Sequence, residues 1–213
     1  HIADVTHYVT PGSTLDQEAI RRATSVYLVD RTIPMLPEIL SNNLCSLRPN
    51  EDRFAFSAVF EMTPEADVVG RWFGRTVIHS DRRFAYEEAQ ERLETGEGDR
   101  AEELATLMGL ARALREKRFK RGGIDFNTEE VRFQLDEAGR PLRVVIKRMT
   151  DANKLIEDFM LLANVEVAKF LAKIHPEKQT PTRTGAYRVH DRPDPEKLGQ
   201  LRVFVRRFGH EMP

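Results

Sequence analysis

Hydrophobic and polar residues alternate along two neighbouring stretches in the first half of the chain. Apolar side chains occupy every second position of residues 53–63, and residues 68–80 alternate in the same way. A period of two residues is typical of β-strands, whose side chains point to opposite faces of a sheet in turn. Residues 64–67, Pro-Glu-Ala-Asp, have the composition of a turn. The pattern therefore predicts a β-hairpin over residues 53–80.

Two longer stretches repeat their apolar residues at helical spacing instead. Residues 100–120 and residues 151–174 are predicted to form long amphipathic helices. Gly122 is expected to end the first helix, and Thr150 or Asp151 to cap the second. The expected buried stripes are Leu104, Leu107, Met108, Ala111 and Leu114 in the first helix, and Ile156, Phe159, Ala163, Val167, Phe170 and Ile174 in the second.

Shorter elements fill the rest of the chain. The pattern predicts, in order, a strand over residues 1–9, a short helix from Leu15 capped by Thr14, an extended segment at 26–29, a helix at 87–94, strands at 124–134 and 142–147, a strand at 187–190, and a helix from Asp194 to about Phe208. Antiparallel hairpins and a mixed sheet packed with long helices indicate the α+β class, rather than a doubly wound parallel sheet.

The composition indicates the class of protein and its compartment, but it indicates no particular reaction. The 213 residues carry a net charge of −1, with 40% hydrophobic and 31% charged residues, which is typical of a globular chain without a membrane span. The single cysteine, Cys45, excludes an internal disulfide and a cysteine-based zinc cluster, and it fits a cytoplasmic protein. Basic clusters such as residues 115–121 could bind nucleic acid or could be solvated faces.

The residues by themselves indicate no catalytic centre. The sequence has no glycine-rich phosphate loop, and His175 and His190 lie outside the spacing of metal ligands. Cys45 lies among leucines and is expected to be buried and unreactive. Two prolines restrict residues 33–47 to one short helical turn from Pro37, as in a rigid connection between two elements.

A resemblance to a known family lies in this same segment. Its sequence, IPMLPEILSNNLCSL, is followed by FAFSAVFEMT and closely resembles the catalytic domain of the ribonuclease II and ribonuclease R family of 3′-to-5′ exoribonucleases. Further blocks occur in the family's order: HIADVTHYV at 1–9, LD at 15–16, ATSVY at 23–27, FAY at 84–86, RGGIDF at 121–126, KLIEDFMLLAN at 154–164, YRVH at 187–190 and PDPEKL at 193–198. The chain looks closer to the ribonuclease R branch than to ribonuclease II.

The resemblance implies that residues 1–213 are an internal part of an RNB-type catalytic domain. The complete enzyme would be a monomer that hydrolyses single-stranded RNA processively from the 3′ end to 5′-mononucleotides with Mg²⁺. The family's metal-binding aspartate motif would precede residue 1, and its catalytic arginine would follow residue 213. No catalytic residue and no metal ligand is therefore expected within this fragment, which would be inactive in isolation, and Asp4 is expected to be structural.

Four residues match positions that bind RNA in the family. Tyr27 and Phe126 match the aromatic residues that clamp the 3′-terminal bases, and Tyr86 and Glu157 match those that contact the terminal ribose. Without the resemblance, the aromatic residues would be interpreted as core and Glu157 as a solvated helix residue. An alternative function stays open on this basis: a catalytically inactive, RNA-binding or regulatory relative with the same fold.

Overall fold

Antiparallel strand pairs and long helices alternate along the chain, which confirms the α+β prediction. The computed structural model describes residues 1–124, 130–147, 149–173 and 189–212. The elements are β1 (Ile2–Ala3), α1 (Thr14–Arg22), β2 (Val26–Tyr27), β3 (Thr32–Ile33), β4 (Asp52–Met62), β5 (Val68–His79), α2 (Tyr86–Thr95), α3 (Ala101–Lys120), β6 (Glu130–Leu135), β7 (Pro141–Lys147), α4 (Asp151–Lys173) and α5 (Pro195–Arg206). The strand pairs β1–β4, β4–β5, β2–β3 and β6–β7 are all antiparallel.

The predicted hairpin is the longest of these pairs. Strands β4 and β5 remain in register from Asp52 opposite His79 to Glu61 opposite Gly70. Ala55 and Ser57 of β4 are fully buried, whereas Phe54 and Phe56 on the opposite face are exposed. The period of two residues therefore separates a buried from an exposed face over residues 54–57. Val59, on the same face as Ala55, is exposed, so the buried face does not extend along the whole strand.

The prediction of a strand over residues 1–9 is wrong beyond Ala3. Asp4 makes the last bond to β4, from its backbone N–H to the carbonyl of Phe54 at 3.0 Å, and a 3₁₀ turn then begins. The Asp4 side chain is buried, accepts a hydrogen bond from the Thr6 hydroxyl at 2.5 Å and forms an ion pair with Arg75, whose Nε lies 3.0 Å away. These local bonds to the carboxylate favour a turn over a continued strand, and they give Asp4 the structural role that was expected.

The helix caps differ in detail from the predictions. Ser13, rather than Thr14, caps α1, because its hydroxyl accepts from the backbone N–H of Asp16 at 3.2 Å. At the start of α4, the predicted cap Thr150 instead donates its hydroxyl to Asn153 Oδ1 at 2.8 Å. The last helix begins at Pro195, and the Asp194 carboxylate caps it.

The proline segment forms the predicted short helical turn, although its hydrogen bonding is π-helical over Ile39–Leu44. The Pro37 carbonyl accepts from the backbone N–H of Leu40 at 2.9 Å and starts the turn. Leu40 is buried, whereas Ile39 is exposed. The segment is therefore half-buried, in agreement with a rigid connection.

The core between the two long helices combines apolar and charged side chains. Met108 and Ala111 of α3 pack with Leu155 of α4, which confirms these two members of the predicted α3 stripe, whereas its member Leu107 is exposed. The predicted stripe of α4 is wrong in part, because Ile156 and Phe170 are exposed. Two acidic residues of α4 are buried instead, namely Asp158 and Glu166. Arginines explain this outcome, since Arg115 donates to Asp158 and Arg71 donates to Glu166.

Contacts divide the chain into two compact units, residues 1–169 and residues 170–213. The second unit contains α5, which ends at Arg206, two residues before the predicted end. Of the strand predicted at residues 187–190, Val189 and His190 belong to no strand, and residues 187–188 lie outside the described residues. Residues 125–129 of the strand predicted at 124–134 also lie outside the described residues. Among the described helices, none is long and apolar enough to cross a membrane.

Candidate nucleic-acid interface

Tyr86 lies at the first position of α2, where two open cavities of about 590 and 380 Å³ meet. Phe84, Ala85 and Tyr86 line both cavities, and the Tyr86 side chain is about half exposed. The Glu88 carboxylate accepts the backbone N–H of Ala85 at 3.0 Å, and this bond lowers the pKa of Glu88. The same bond fixes the start of the helix and thereby the backbone that carries Tyr86.

The two cavities differ in chemistry. The smaller one is apolar and also contacts Ala89, Leu93, Leu104, Ala152, Leu155 and Ile156. The larger one also contains polar and charged residues, namely Arg83, Glu87, Gln90, Glu91, Glu94, Arg132, Thr150 and Asn153. An aromatic ring at the boundary of an apolar and a polar cavity can contact a base on one side and a sugar or phosphate on the other.

Two arginines hold the ring of Phe84 beside Tyr86. The guanidinium carbon of Arg82 lies 4.4 Å from the Phe84 ring centroid, and that of Arg92 lies 5.2 Å from it. The Asp99 carboxylate accepts from Arg82 Nε at 2.8 Å and from Arg92 Nη2 at 2.7 Å. Hydrogen bonds from Arg92 and then Arg82 lower the pKa of Asp99 to about 2. Asp99 therefore joins the loop after α2 to the aromatic wall of the cavities.

Glu157 is exposed on α4 and is not part of the lining of either cavity. Its carboxylate lies 3.3 Å from Arg118 Nη1 of α3, so the residue is paired rather than simply solvated. The preceding residue, Ile156, lines the smaller cavity together with Tyr86. Within the described part of the chain, no hydrogen bond joins Tyr86 to Glu157.

Tyr27 lies in the short hairpin of β2 and β3, opposite Thr32. Its side chain is 79% exposed, so Tyr27 is not a core residue of this chain and is available to a ligand. The alternation pattern indicated β2 but missed β3, because a two-residue strand is too short to show a period. Phe126, the predicted partner of Tyr27, lies outside the described residues.

The basic cluster at residues 115–121 is largely neutralised inside the chain. Arg115 and Arg118 contact the buried Asp158, and Lys117 pairs with Asp67 at 2.6 Å. The interpretation of this cluster as a solvated face is therefore wrong for the two arginines. Cys45 is half-buried, and both its burial and the nearby Asp4 charge raise the pKa of its thiol.

Sequence reasoning missed Phe84 and Arg132 as cavity residues. Phe84 belongs to the FAY block, but only the tyrosine of that block was singled out. Arg132 is an isolated charge on β6, and the fold brings it to the cavity beside Tyr86. Nothing in the local pattern around Arg132 could have identified it.

Carboxylates of the described residues do not fit a Mg²⁺ site. Magnesium binds clustered oxygen ligands, usually with one or two carboxylates free of competing cations. Within the described ranges, no three His, Cys, Asp or Glu side chains lie close enough together to hold a metal ion. The buried acids Asp4, Asp158 and Glu166 are each paired with an arginine. The charges of these three buried acids are therefore already balanced by cations of the chain itself.

Comparison with known proteins defines the class of this chain. The model of the RNB domain family matches residues 1–211. The chain therefore belongs to the RNB domain family, the family of ribonuclease II and ribonuclease R.

Relatives within the family come from more than one branch. The chain is 46% identical over 189 residues to DIS3-like exonuclease 2 of Schizosaccharomyces pombe, a match that covers 81% of this chain and 20% of the relative. It is 42% identical over 215 residues to ribonuclease R of Thermotoga maritima, with 98% and 29% covered. The chain thus spans less than a third of the length of these relatives, and the identities alone do not assign it to one branch.

Solved structures show the same fold. Mycoplasma genitalium RNase R in complex with ribose-methylated single-stranded RNA has a TM-score of 0.84 at 30% identity, with 97% of this chain and 32% of that chain covered. The same enzyme in complex with double-stranded RNA has a TM-score of 0.84 at 31% identity, with 96% and 36% covered. Yeast Ssd1, a pseudonuclease, shares the fold alone, with a TM-score of 0.75 at 19% identity over 99% of this chain and 25% of that chain. The fold therefore occurs both in nucleases and in a pseudonuclease.

Proposed function

We propose that this chain is the central part of the catalytic domain of a 3′-to-5′ exoribonuclease. The complete enzyme would hydrolyse single-stranded RNA processively to 5′-mononucleotides. The observation that carries the proposal is the family match over residues 1–211, together with relatives that are exonucleases at 42–46% identity. A cytoplasmic location and a monomeric state stay predictions, the first of which rests on the single cysteine.

The chain would provide the part of the channel that binds the RNA end. Tyr27 presents an exposed ring that could stack on any base, because every base offers a π-face. Tyr86 presents a phenol beside a cavity that contains Arg83 and Arg132, whose cations suit a phosphate, and also Glu87, Glu91 and Glu94, whose charges oppose one. Stacking and phosphate contacts carry no base identity, which suits an enzyme that must degrade any RNA sequence.

Magnesium would be bound by carboxylates from outside residues 1–213. The buried acids Asp4, Asp158 and Glu166 are each paired with an arginine, so the part of the enzyme seen here would bind and orient RNA rather than hold the metal. Residues 1–213 alone are accordingly expected not to hydrolyse RNA.

The test uses the complete protein encoded by the same gene and a single-stranded oligoribonucleotide labelled at its 5′ end or at its 3′ end. With Mg²⁺, the 3′ label should appear at once as a mononucleotide, whereas the 5′ label should remain on long or terminal products. An unlabelled RNA trap added after binding should not change the product lengths, because a processive enzyme completes its substrate.

The matched controls are addition of EDTA and an identical oligonucleotide of deoxyribose. Immediate release of the 5′ label would contradict the direction, and a trap-sensitive ladder would contradict processivity. RNA binding without Mg²⁺-dependent hydrolysis would instead support an inactive, RNA-binding relative.

A further inference from the structure

A chain of ion pairs connects the interior of the protein to Glu157. Asp158 has a side chain only 2% exposed, and its Oδ2 accepts from Arg115 Nε at 3.0 Å and Arg115 Nη2 at 2.6 Å. The second oxygen, Oδ1, lies 3.3 Å from Arg118 Nη2. The other terminal nitrogen of Arg118, Nη1, lies 3.3 Å from Glu157 Oε1. Arg118 therefore connects a buried, fixed acid to an exposed one.

Burial and packing restrict the Arg118 side chain itself. It is 35% exposed, and its Nε is buried without a partner among the described residues. A Cβ atom placed on Gly123 would lie 3.0 Å from both the Arg118 Cγ and the Arg118 carbonyl oxygen. A side chain at that position would have to displace the Arg118 stem or its backbone by a few tenths of an ångström, so glycine fits there without a rearrangement.

The geometry of a guanidinium explains why the connection needs arginine. Its two terminal nitrogens are fixed in one plane, so binding Asp158 with one nitrogen sets the direction of the other. An exposed glutamate on a helix otherwise samples several side-chain rotamers. The pair with Arg118 favours those rotamers of Glu157 that reach Nη1.

We propose that Arg118 is a positioning residue for Glu157, which it holds in the orientation that contacts the terminal ribose. This inference rests on the proposed function and on the family resemblance, in which Glu157 and Tyr86 match residues that contact the terminal ribose. A misplacement of about 1 Å in such a contact can cost about 100-fold in rate. Loss of Arg118 should therefore reduce the preference for ribose over deoxyribose more than it reduces RNA hydrolysis.

The test measures kcat/KM in the complete protein on two oligonucleotides that differ only in a 3′-terminal ribose or deoxyribose. Arg118→Gln should lower the ratio of the two values at least about tenfold. Arg118→Lys should lower it as well, because one ammonium cannot direct two carboxylates in a plane. Gly123→Ala, which keeps every charge, should lower it to a smaller extent by displacing the Arg118 stem.

A matched control and a double variant separate positioning from a structural role. Arg112→Gln removes another arginine–aspartate pair between α3 and α4, with Asp151 at 3.2 Å, and should leave the ratio unchanged. In a Glu157→Ala background, Arg118→Gln should have no additional effect on the ratio.

Three outcomes would overturn the inference: an unchanged ratio in Arg118→Gln, an equal change in Arg112→Gln, or additive effects in the double variant. If one of these outcomes occurs but the parent protein hydrolyses RNA and prefers a 3′-terminal ribose, only the positioning role of Arg118 is contradicted, and the proposed function stands. A parent that does not hydrolyse RNA contradicts the proposed function itself.

Discussion

Arg115 donates two hydrogen bonds to a single carboxylate oxygen of Asp158, at 3.0 and 2.6 Å, and this pair joins α3 to α4 in the interior. The Asp158 side chain is 2% exposed and that of Arg115 is 17% exposed. A charge so deeply buried is tolerated only with a partner of opposite sign, since water cannot solvate it. The pair therefore makes the packing of the two helices depend on residues that lie 43 positions apart in the sequence.

Removal of Arg115 is expected to destabilise the protein strongly. Arg115→Met would leave Asp158 with the longer contact to Arg118 alone, and breaking a buried pair costs about 3–5 kcal/mol. Denaturant unfolding of the complete protein, followed by a signal from this domain, measures the loss. The control Arg112→Met removes an exposed pair with Asp151 and should cost less than about 1 kcal/mol. Equal losses in the two variants would contradict a special role of burial.

Acid should weaken the contacts around Phe84 in a defined pH range. The pKa of Asp99 is lowered to about 2 from its usual 3.8, by hydrogen bonds from Arg92 and Arg82. Because the pKa is lower in the folded state, ionised Asp99 stabilises the fold above about pH 4, and this contribution is lost as the pH falls towards 2. The melting temperature of Asp99→Asn should therefore approach that of the parent as the pH falls from about 4 to about 2. If the difference in melting temperature between the parent and Asp99→Asn stays constant over this pH range, the Asp99 charge does not contribute to the stability of the fold.

Stacking on Tyr27 should hold RNA without regard to base identity. Tyr27→Ala should weaken binding by about 1–3 kcal/mol, or about 5- to 140-fold in Kd. Binding of single-stranded homopolymers of each base, measured in EDTA to prevent hydrolysis, tests this. Tyr27→Phe keeps the ring and should bind almost as tightly as the parent. A loss confined to one base, or an equal loss in both variants, would indicate hydrogen bonding by the hydroxyl instead. Phe126→Ala is expected to act in the same way as Tyr27→Ala.

The hydrophobic periodicity of the sequence predicted those helices and strands whose apolar residues repeat with the period of the element. The β4–β5 hairpin and α3 were predicted in this way. The cap of α1 was misplaced by one residue, since Ser13 and Thr14 are both suitable cap residues and only the backbone geometry selects between them.

Distant partners determine what the sequence could not predict. The buried face of α4 contains Asp158 and Glu166, and their burial depends on arginines on other elements, Arg115 and Arg71. Hydrophobic periodicity treats every acid as solvent-facing, so it placed Ile156 inside instead. The site residues came from the family resemblance, and the structure then showed Tyr27 exposed and Tyr86 at the cavities.

Sugar selection is expected to depend on Tyr86 and Glu157 together. An exonuclease that accepts every base but prefers RNA must recognise the 2′-hydroxyl, which distinguishes the two polymers. A carboxylate can accept a hydrogen bond from that hydroxyl, and a phenol can donate one to it. When the hydroxyl is missing, both protein groups lose a partner, and this penalty disfavours DNA.

The double variant Tyr86→Phe/Glu157→Ala of the complete protein should therefore accept a 3′-terminal deoxyribose far better, relative to ribose, than the parent does. We expect the ratio of kcat/KM for the two ends to fall by at least about tenfold, with a smaller loss on RNA. Tyr8→Phe removes a phenol hydroxyl outside the cavities and serves as the control. If the double variant rejects deoxyribose as strongly as the parent, the sugar is recognised by other residues. Loss of hydrolysis on both substrates to the same degree would instead indicate a general role in binding the RNA end.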